Sequence, residues 1–129
     1  MRLDPDCMRA ILLEAEKAPF DEELGFRDLC DSLSSCFLEE DIRYTCLKLE
    51  EAGLLKIKAA MRNSPHHLPI VLSIVDITYM GHQFLANIRE DSVWNKVKGI
   101  AGKAGCTSVS ALIQIATAIL PDLIRASLG

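Results

Sequence analysis

The stretch EEDIRYTCLKLEEAGLLKIKAAMRNSPHHLPIVLSIVDITYM, residues 39–80, decides how the rest of this chain is read. It opens on Glu39, Glu40 and Asp41, carboxylates that suit the partial positive charge of a helix N-terminus. Ile42, Cys46, Leu49 and Gly53 then recur at helical spacing, which gives the helix one face to bury. Gly53 ends it, because glycine takes the left-handed conformation without a Cβ clash. Residues 54–59 (LLKIKA) and 71–79 (VLSIVDITY) read as two strands, separated by a loop that holds Pro65 and Pro69. A helix, the step Ala52-Gly53-Leu54 and a hairpin with a long tip form the pattern of a winged helix.

Upstream, Asp4-Pro5 is a helix start: aspartate caps the free amides and proline is tolerated at the first helical position. Met8, Ile11, Leu12 and Ala15 make an apolar stripe, so the first helix covers about residues 5–17 and ends before Pro19. Residues 20–26 connect, with room for a short extended piece. A second short helix over about 27–34 buries Leu29, Cys30 and Leu33, and residues 34–37 are the turn before the helix at 39. A short helix, a tight turn and a longer helix is helix-turn-helix order. The expected fold is mainly α with a small antiparallel β-hairpin. A winged helix-turn-helix module occupies 1–80, and a C-terminal helical extension that mediates dimerisation occupies 81–129.

In that extension, residues 78–82 turn the strand into a helix from Gln83 to about Arg89, with Phe84, Leu85 and Ile88 inward and His82 capping or packing at its start. A further helix from Val93, under an Asp91 or Ser92 cap, packs Trp94 (the single tryptophan) and Val97 on the one before it. Lys96, Lys98 and Lys103 form a cationic patch nearby. The run GIAGKAG (99–105) has the look of a phosphate loop. The Walker pattern, however, needs Gly-Lys followed by Ser or Thr after a strand, and the order around an I-x-G-x-x-G clamp of the KH type does not match. A flexible interhelical linker is expected there. The last helix starts at a Thr107/Ser108 cap, runs towards Ser127 and is apolar on most sides, with Pro121 expected to kink or break it. Such a helix is normally buried all round. A small winged module is too small to wrap it fully, so a homodimer is expected, paired through Leu112, Ile113, Ile115, Ala116, Ile119, Leu120 and Leu123, with packing onto its own domain as the alternative and membrane-surface attachment disfavoured by the lack of flanking Lys/Arg.

Composition narrows the classes. Half of the residues are hydrophobic but only 5% aromatic, so the core must be aliphatic. No signal-type leader opens the chain, and no uncharged apolar run of about 18 residues is free of polar residues or proline. No membrane span is expected, and a cytoplasmic setting is. Five cysteines in irregular spacing, without a C-x-x-C pair, support neither a zinc knuckle nor a disulfide framework. They read as reduced and mostly buried thiols, with a redox pair at Cys30 and Cys36 as the lesser alternative. His66-His67, in a proline-flanked loop, is not a preorganised metal site. No metal, cofactor or catalytic group is expected, since the histidines His66, His67 and His82 stand in no recognisable nucleophile or ligand spacing.

The net charge of −4 hides an asymmetry. Residues 1–54 hold 6 Lys/Arg against 14 Asp/Glu, and residues 55–129 hold 8 against 4. A uniformly basic DNA-coating protein is excluded, because non-specific affinity comes from neutralised phosphates. Opposite charge on the two halves favours contact between them or head-to-tail association.

The run ITYMGHQFLANIREDSVWNKVK at 77–98 resembles the LT-x-x-GH-x-FL-x-x-IR-x-D-x-VW-x-K-x-K signature of a bacterial and prophage family of unknown function, numbered 2513. Residues 44–55, with their EAGLL ending, and the opening MRLD to Leu13 are similar to the same family, so the resemblance covers most of 1–98. Ile77 stands where the signature has Leu. The resemblance implies a winged-helix-like fold and a bacterial or prophage origin; it implies no activity.

Two functions fit. The first is a DNA-binding transcriptional regulator: Arg43, Tyr44 and Lys48 on the second helix of the motif enter the major groove of double-stranded DNA, and Lys56, Lys58 and Arg62 in the wing meet the backbone. The second is a non-catalytic protein-interaction module that keeps the winged fold and meets another protein through its acidic helix. Residues 39–51 hold 5 acidic against 2 basic residues, which keeps the second reading open.

Overall fold

The computed structural model describes residues 1–64 and 66–128; Pro65, read above as part of the wing loop, lies outside the described residues. The elements are α1 (Pro5–Glu16), β1 (Leu24–Gly25), α2 (Phe26–Leu33), α3 (Glu39–Glu51), β2 (Leu55–Ala60), β3 (Ile70–Ile77), α4 (Tyr79–Ile88), α5 (Asp91–Ala104) and α6 (Val109–Leu128). The strands form one antiparallel sheet in the order β1-β3-β2. The fold is mainly α with a small antiparallel sheet, and its first six elements follow winged helix-turn-helix order.

Local chemistry explains the boundaries. Asp4 caps α1 by accepting a hydrogen bond from the Asp6 amide at 2.9 Å, with Pro5 next in line. Gly53 closes α3 at φ +81, and the amides of Gly53 and Leu54 bond back to the carbonyls of Glu50 and Leu49, the two bonds of a Schellman stop. Ser108 caps α6, its Oγ accepting from the Ala111 amide at 3.1 Å. β3 pairs with β2 through two irregularities, between Lys56/Ile57 and between Lys58/Ala59. Leu72 and Val75 fall opposite these steps, bulged and exposed.

Several boundaries differ from the sequence reading. β3 ends at Ile77, and α4 begins at Tyr79, four residues before Gln83. Thr78 is the reason. Its Oγ1 accepts from the Gly81 amide at 3.0 Å and donates to the Gly53 carbonyl at 2.6 Å, so it caps α4 and stitches it to the turn after α3. His82 accordingly lies in the first turn of α4, exposed, and is not its cap. α5 begins at Asp91 and has no side-chain cap at its start. Residues 99–104 are its last turns rather than a linker. Trp94, Val97 and Ala101 are buried at i, i+3, i+7, and that stripe carries the helix across Gly99 and Gly102 to a left-handed stop at Gly105. Finally, α6 is not broken at Pro121 but runs on to Leu128.

The core is one aliphatic cluster that runs from Cys7 in α1 to Ala116 in α6, so the division at residue 80 does not coincide with a break in the packing. Met8, Ile11 and Leu12 of α1 are fully buried, and α1 touches α2, α3, β3 and α4. Trp94 is buried as a core anchor, with its Nε1 donating to Asp6 at 2.9 Å. Arg9, also on α1, holds the elbow after α4: Nε donates to the Ile88 carbonyl at 3.0 Å, and Nη2 donates to the Arg89 carbonyl and to Asp91. These are helix-end carbonyls that would otherwise lack partners. α6 is buried only through Val109, Leu112 and Ala116. By length and composition α6 is long and apolar enough to cross a membrane, although it carries Asp122 and Arg125.

Candidate functional site

The surface that a winged helix offers to a partner is the outer side of α3 together with the wing. On α3 the buried residues are Ile42, Thr45, Cys46 and Leu49. The side opposite them, at helical spacing, carries Glu40, Tyr44, Leu47 and Glu51. Carboxylates therefore stand at both ends of this line, with Tyr44 and Leu47 between them, and the expected DNA-contacting cations Arg43 and Lys48 are displaced to its edges.

Arg43 lies on one edge, half-buried, where it borders a groove of about 450 Å³ between α2, α3 and the start of β3. Lys48 lies on the other edge, and with Tyr44 it borders Leu3 and Val109, where the N-terminus and the start of α6 approach α3. Lys48 is already engaged: its Nζ bonds both carboxylate oxygens of Glu51 at 3.1 and 3.3 Å and sits 5.3 Å from the centre of the Tyr44 ring. The structure thus puts Tyr44 and Lys48 together and holds Arg43 apart from them.

The wing behaves similarly. Lys58 pairs with Glu23 at 2.8 Å, and the other oxygen of Glu23 accepts from Ser73 at 3.2 Å. The Lys58 ammonium and the Ser73 hydroxyl keep the Glu23 carboxyl below its ordinary range. Lys56 is exposed but stands opposite Asp76 across the ladder. Arg62 is exposed in the segment after β2 and has no ion pair among the described residues. Beside these cations the wing is apolar. Met61 is 81% exposed and Leu68 46%, and with Leu47, Glu50, Glu51 and Ala59 they line a second groove of about 280 Å³ between α3 and the wing. Composition gave no hint of this, because the exposed apolar side chains are set by the tip's geometry rather than by a periodic pattern.

The residues expected to pair two copies divide. Leu112 and Ala116 are buried inside their own chain. Ile113, Ile115, Ile119, Leu120 and Leu123 are half-buried and keep part of their surface in solvent.

The charge asymmetry is partly consumed internally. Asp6 pairs with Lys98 at 2.8 Å, Glu16 with Arg89, and Glu23 with Lys58, each an acid of residues 1–54 against a base of the remainder. Burial alone would raise the Asp6 carboxyl, but hydrogen bonds from Lys98 and Trp94 outweigh it and hold it below its ordinary value. The Arg89 guanidinium does the same for Glu16.

All five cysteines are free; Cys7 and Cys46 are buried, Cys30 half-buried, and Cys36 and Cys106 exposed, so burial is less general than expected. Burial pushes the Cys7 and Cys30 thiols up to about 11 and Cys46 higher still, the opposite of the shift that makes a thiol reactive. Among the described residues, no group of three or more His, Cys, Asp or Glu is placed to hold a metal ion.

A family model described as "Hypothetical protein (DUF2513)" matches residues 2–107 and so ends just before α6. A protein of Haemophilus influenzae, whose printed name is "Uncharacterized protein", is 30% identical over 125 residues, which span 96% of this chain and 99% of the other. That alignment is long enough to take in most of α6. No solved structure matches the chain. The match over residues 2–107 and the near full-length relative place this chain in the DUF2513 family.

Proposed function

We propose that this protein is a non-catalytic winged-helix module that docks a protein partner on the face formed by α3 and the wing. The observation that supports this most is the outer line of α3: Glu40, Tyr44, Leu47 and Glu51 would lead into a DNA groove, and Lys48 and Lys58 are held in ion pairs with Glu51 and Glu23. Carboxylates on that line are repelled by phosphates. With Met61 and Leu68 beside them they suit a basic, partly apolar protein surface. The test is a mobility shift with random duplexes at about 50 and about 200 mM salt. The wild-type chain is expected to leave the duplex free at both, while Glu40→Lys/Glu51→Lys acquires salt-sensitive binding and loses any co-purifying protein. Tight duplex binding by the wild type would overturn this reading.

A second reading, a bacterial or prophage DNA-binding regulator, is favoured by one specific feature: Lys56 and Arg62 are exposed on the approach to the wing tip, with Arg43 at the edge of α3. It requires salt-dependent binding to a two-fold operator, weakened by Arg43→Ala or Arg62→Ala. With either reading we propose a cytoplasmic setting, consistent with five unpaired thiols. We also propose a homodimer joined along Ile119, Leu120 and Leu123, to be checked by light scattering of the wild type against Leu120→Lys/Leu123→Lys.

A further inference from the structure

β3 is the middle strand of the sheet, yet it is covered unequally. On one side β2 accompanies it from Ile70 to Ile77. On the other side β1 is only two residues long and reaches only Ser73 and Ile74. At Phe26 the chain leaves the sheet to start α2, so Ile70, Val71 and Leu72 have a strand neighbour on one side alone. Successive residues of an antiparallel strand send their N–H and C=O groups alternately to its two edges. This stretch therefore presents main-chain donors and acceptors on the side that β1 leaves open. No loop backbone among the described residues bonds to them. Edges of this kind are usually blunted by charge, proline or a covering element. Here Ile70 is 44% exposed and Leu72 53%.

The open edge borders the groove of about 450 Å³ between the sheet and the helix-turn-helix. Phe26, Cys30, Phe37, Ile42 and Val71 supply apolar walls, with Arg27 and Asp31 of α2 and Glu39 and Arg43 of α3 also at the groove. Beyond its α3 end, Glu39 and Glu40 flank the exposed Leu38.

We propose that this groove receives an extended segment of a partner protein, which adds a short strand to β3 in line with β1. The occupant is an extended chain rather than a helix because the site continues an existing ladder and offers main-chain partners that only another strand satisfies. Alternate side chains of the guest point towards Phe26, Cys30 and Phe37, and a lysine or arginine at one end meets Glu39 and Glu40. This rests on the reading of the module as a protein binder, and it names the mode of binding and the chemistry of the partner.

The test selects short random peptides on the full-length chain and measures binding of the enriched sequences by fluorescence polarisation. Enriched peptides are expected to alternate apolar residues beside a basic one. Methylating one backbone nitrogen of such a peptide should weaken binding about tenfold, and methylating its neighbour should leave it unchanged, as expected when one register of main-chain bonds is used. Binding should be lost in Ile70→Lys/Leu72→Lys, whose circular dichroism and thermal midpoint should match the wild type because both side chains are exposed. Cys30 should be shielded from alkylation by bound peptide while Cys106 is not. Peptides that bind equally in both methylated forms overturn strand addition, as does failure to enrich any. Peptides lost in Glu40→Lys/Glu51→Lys but retained in Ile70→Lys/Leu72→Lys would keep the protein-binding reading and sink this one.

Discussion

Gly81 shows how one residue ties the module together. It lies in the first turn of α4 against the turn after α3, where a Cβ would come within 2.2 Å of the Leu54 carbonyl oxygen and 2.6 Å of Ile77. Neither neighbour is free to yield, because Leu54 accepts the Thr78 amide and Ile77 is core. Gly81→Ala should therefore cost about 1–3 kcal/mol, read as a lower denaturant midpoint. Gly102 is the internal control. It is helical, and a Cβ there would meet nothing within 4 Å, so Gly102→Ala should stabilise the chain by about 0.5–1 kcal/mol through the unfolded state and helix propensity. Equal effects at the two glycines would contradict this account of the α3–α4 joint.

Among the elements, α6 divides most sharply in energy. Its first half packs Leu112 and Ala116 into the core, while Ile124 and Leu128 are exposed. Leu112→Ala should cost about 2–5 kcal/mol, and Leu128→Ala less than about 0.5 kcal/mol in the monomer. Thermal melts of the two variants check this directly. The same helix shows what can be read from sequence. Its start at Ser108, the caps at Asp4 and Gly53, and the stripes of α1 and α3 were legible because each is a local signal within a few residues. The start of α4 was not, since Thr78 caps it while also bonding to Gly53, 25 residues away. The end of α5 was missed because two glycines hid the stripe of Trp94, Val97 and Ala101. At the candidate site the residue types were legible and their engagement was not. Lys58 is tied by Glu23 from a connector 35 positions earlier, and no spacing rule reports such a pair.

Across the whole molecule, the acids of α1 and the connector are matched by bases of the later elements. Asp6, Glu16 and Glu23 all have folded-state pKa values lowered from their ordinary ones. In the unfolded chain these carboxylates take up protons first as the pH falls. Their stabilising effect is thus fully present above about pH 5 and is lost as the pH drops through the lower folded values. Denaturant midpoints should be level near neutrality and fall below about pH 5, with a shallower fall in Asp6→Asn/Glu16→Gln. A midpoint that rises on acidification would refute the assignment. The position of α1 has a consequence for how this chain can be dissected. Because the opening helix is clasped by segments made both early and late, a recombinant piece cut after Met80 would strip α1 of most of α4 and of the Ile88 and Arg89 carbonyls that Arg9 holds. It should yield a collapsed or aggregated product with poorly dispersed amide resonances, and a well-dispersed spectrum from that piece would show the opposite.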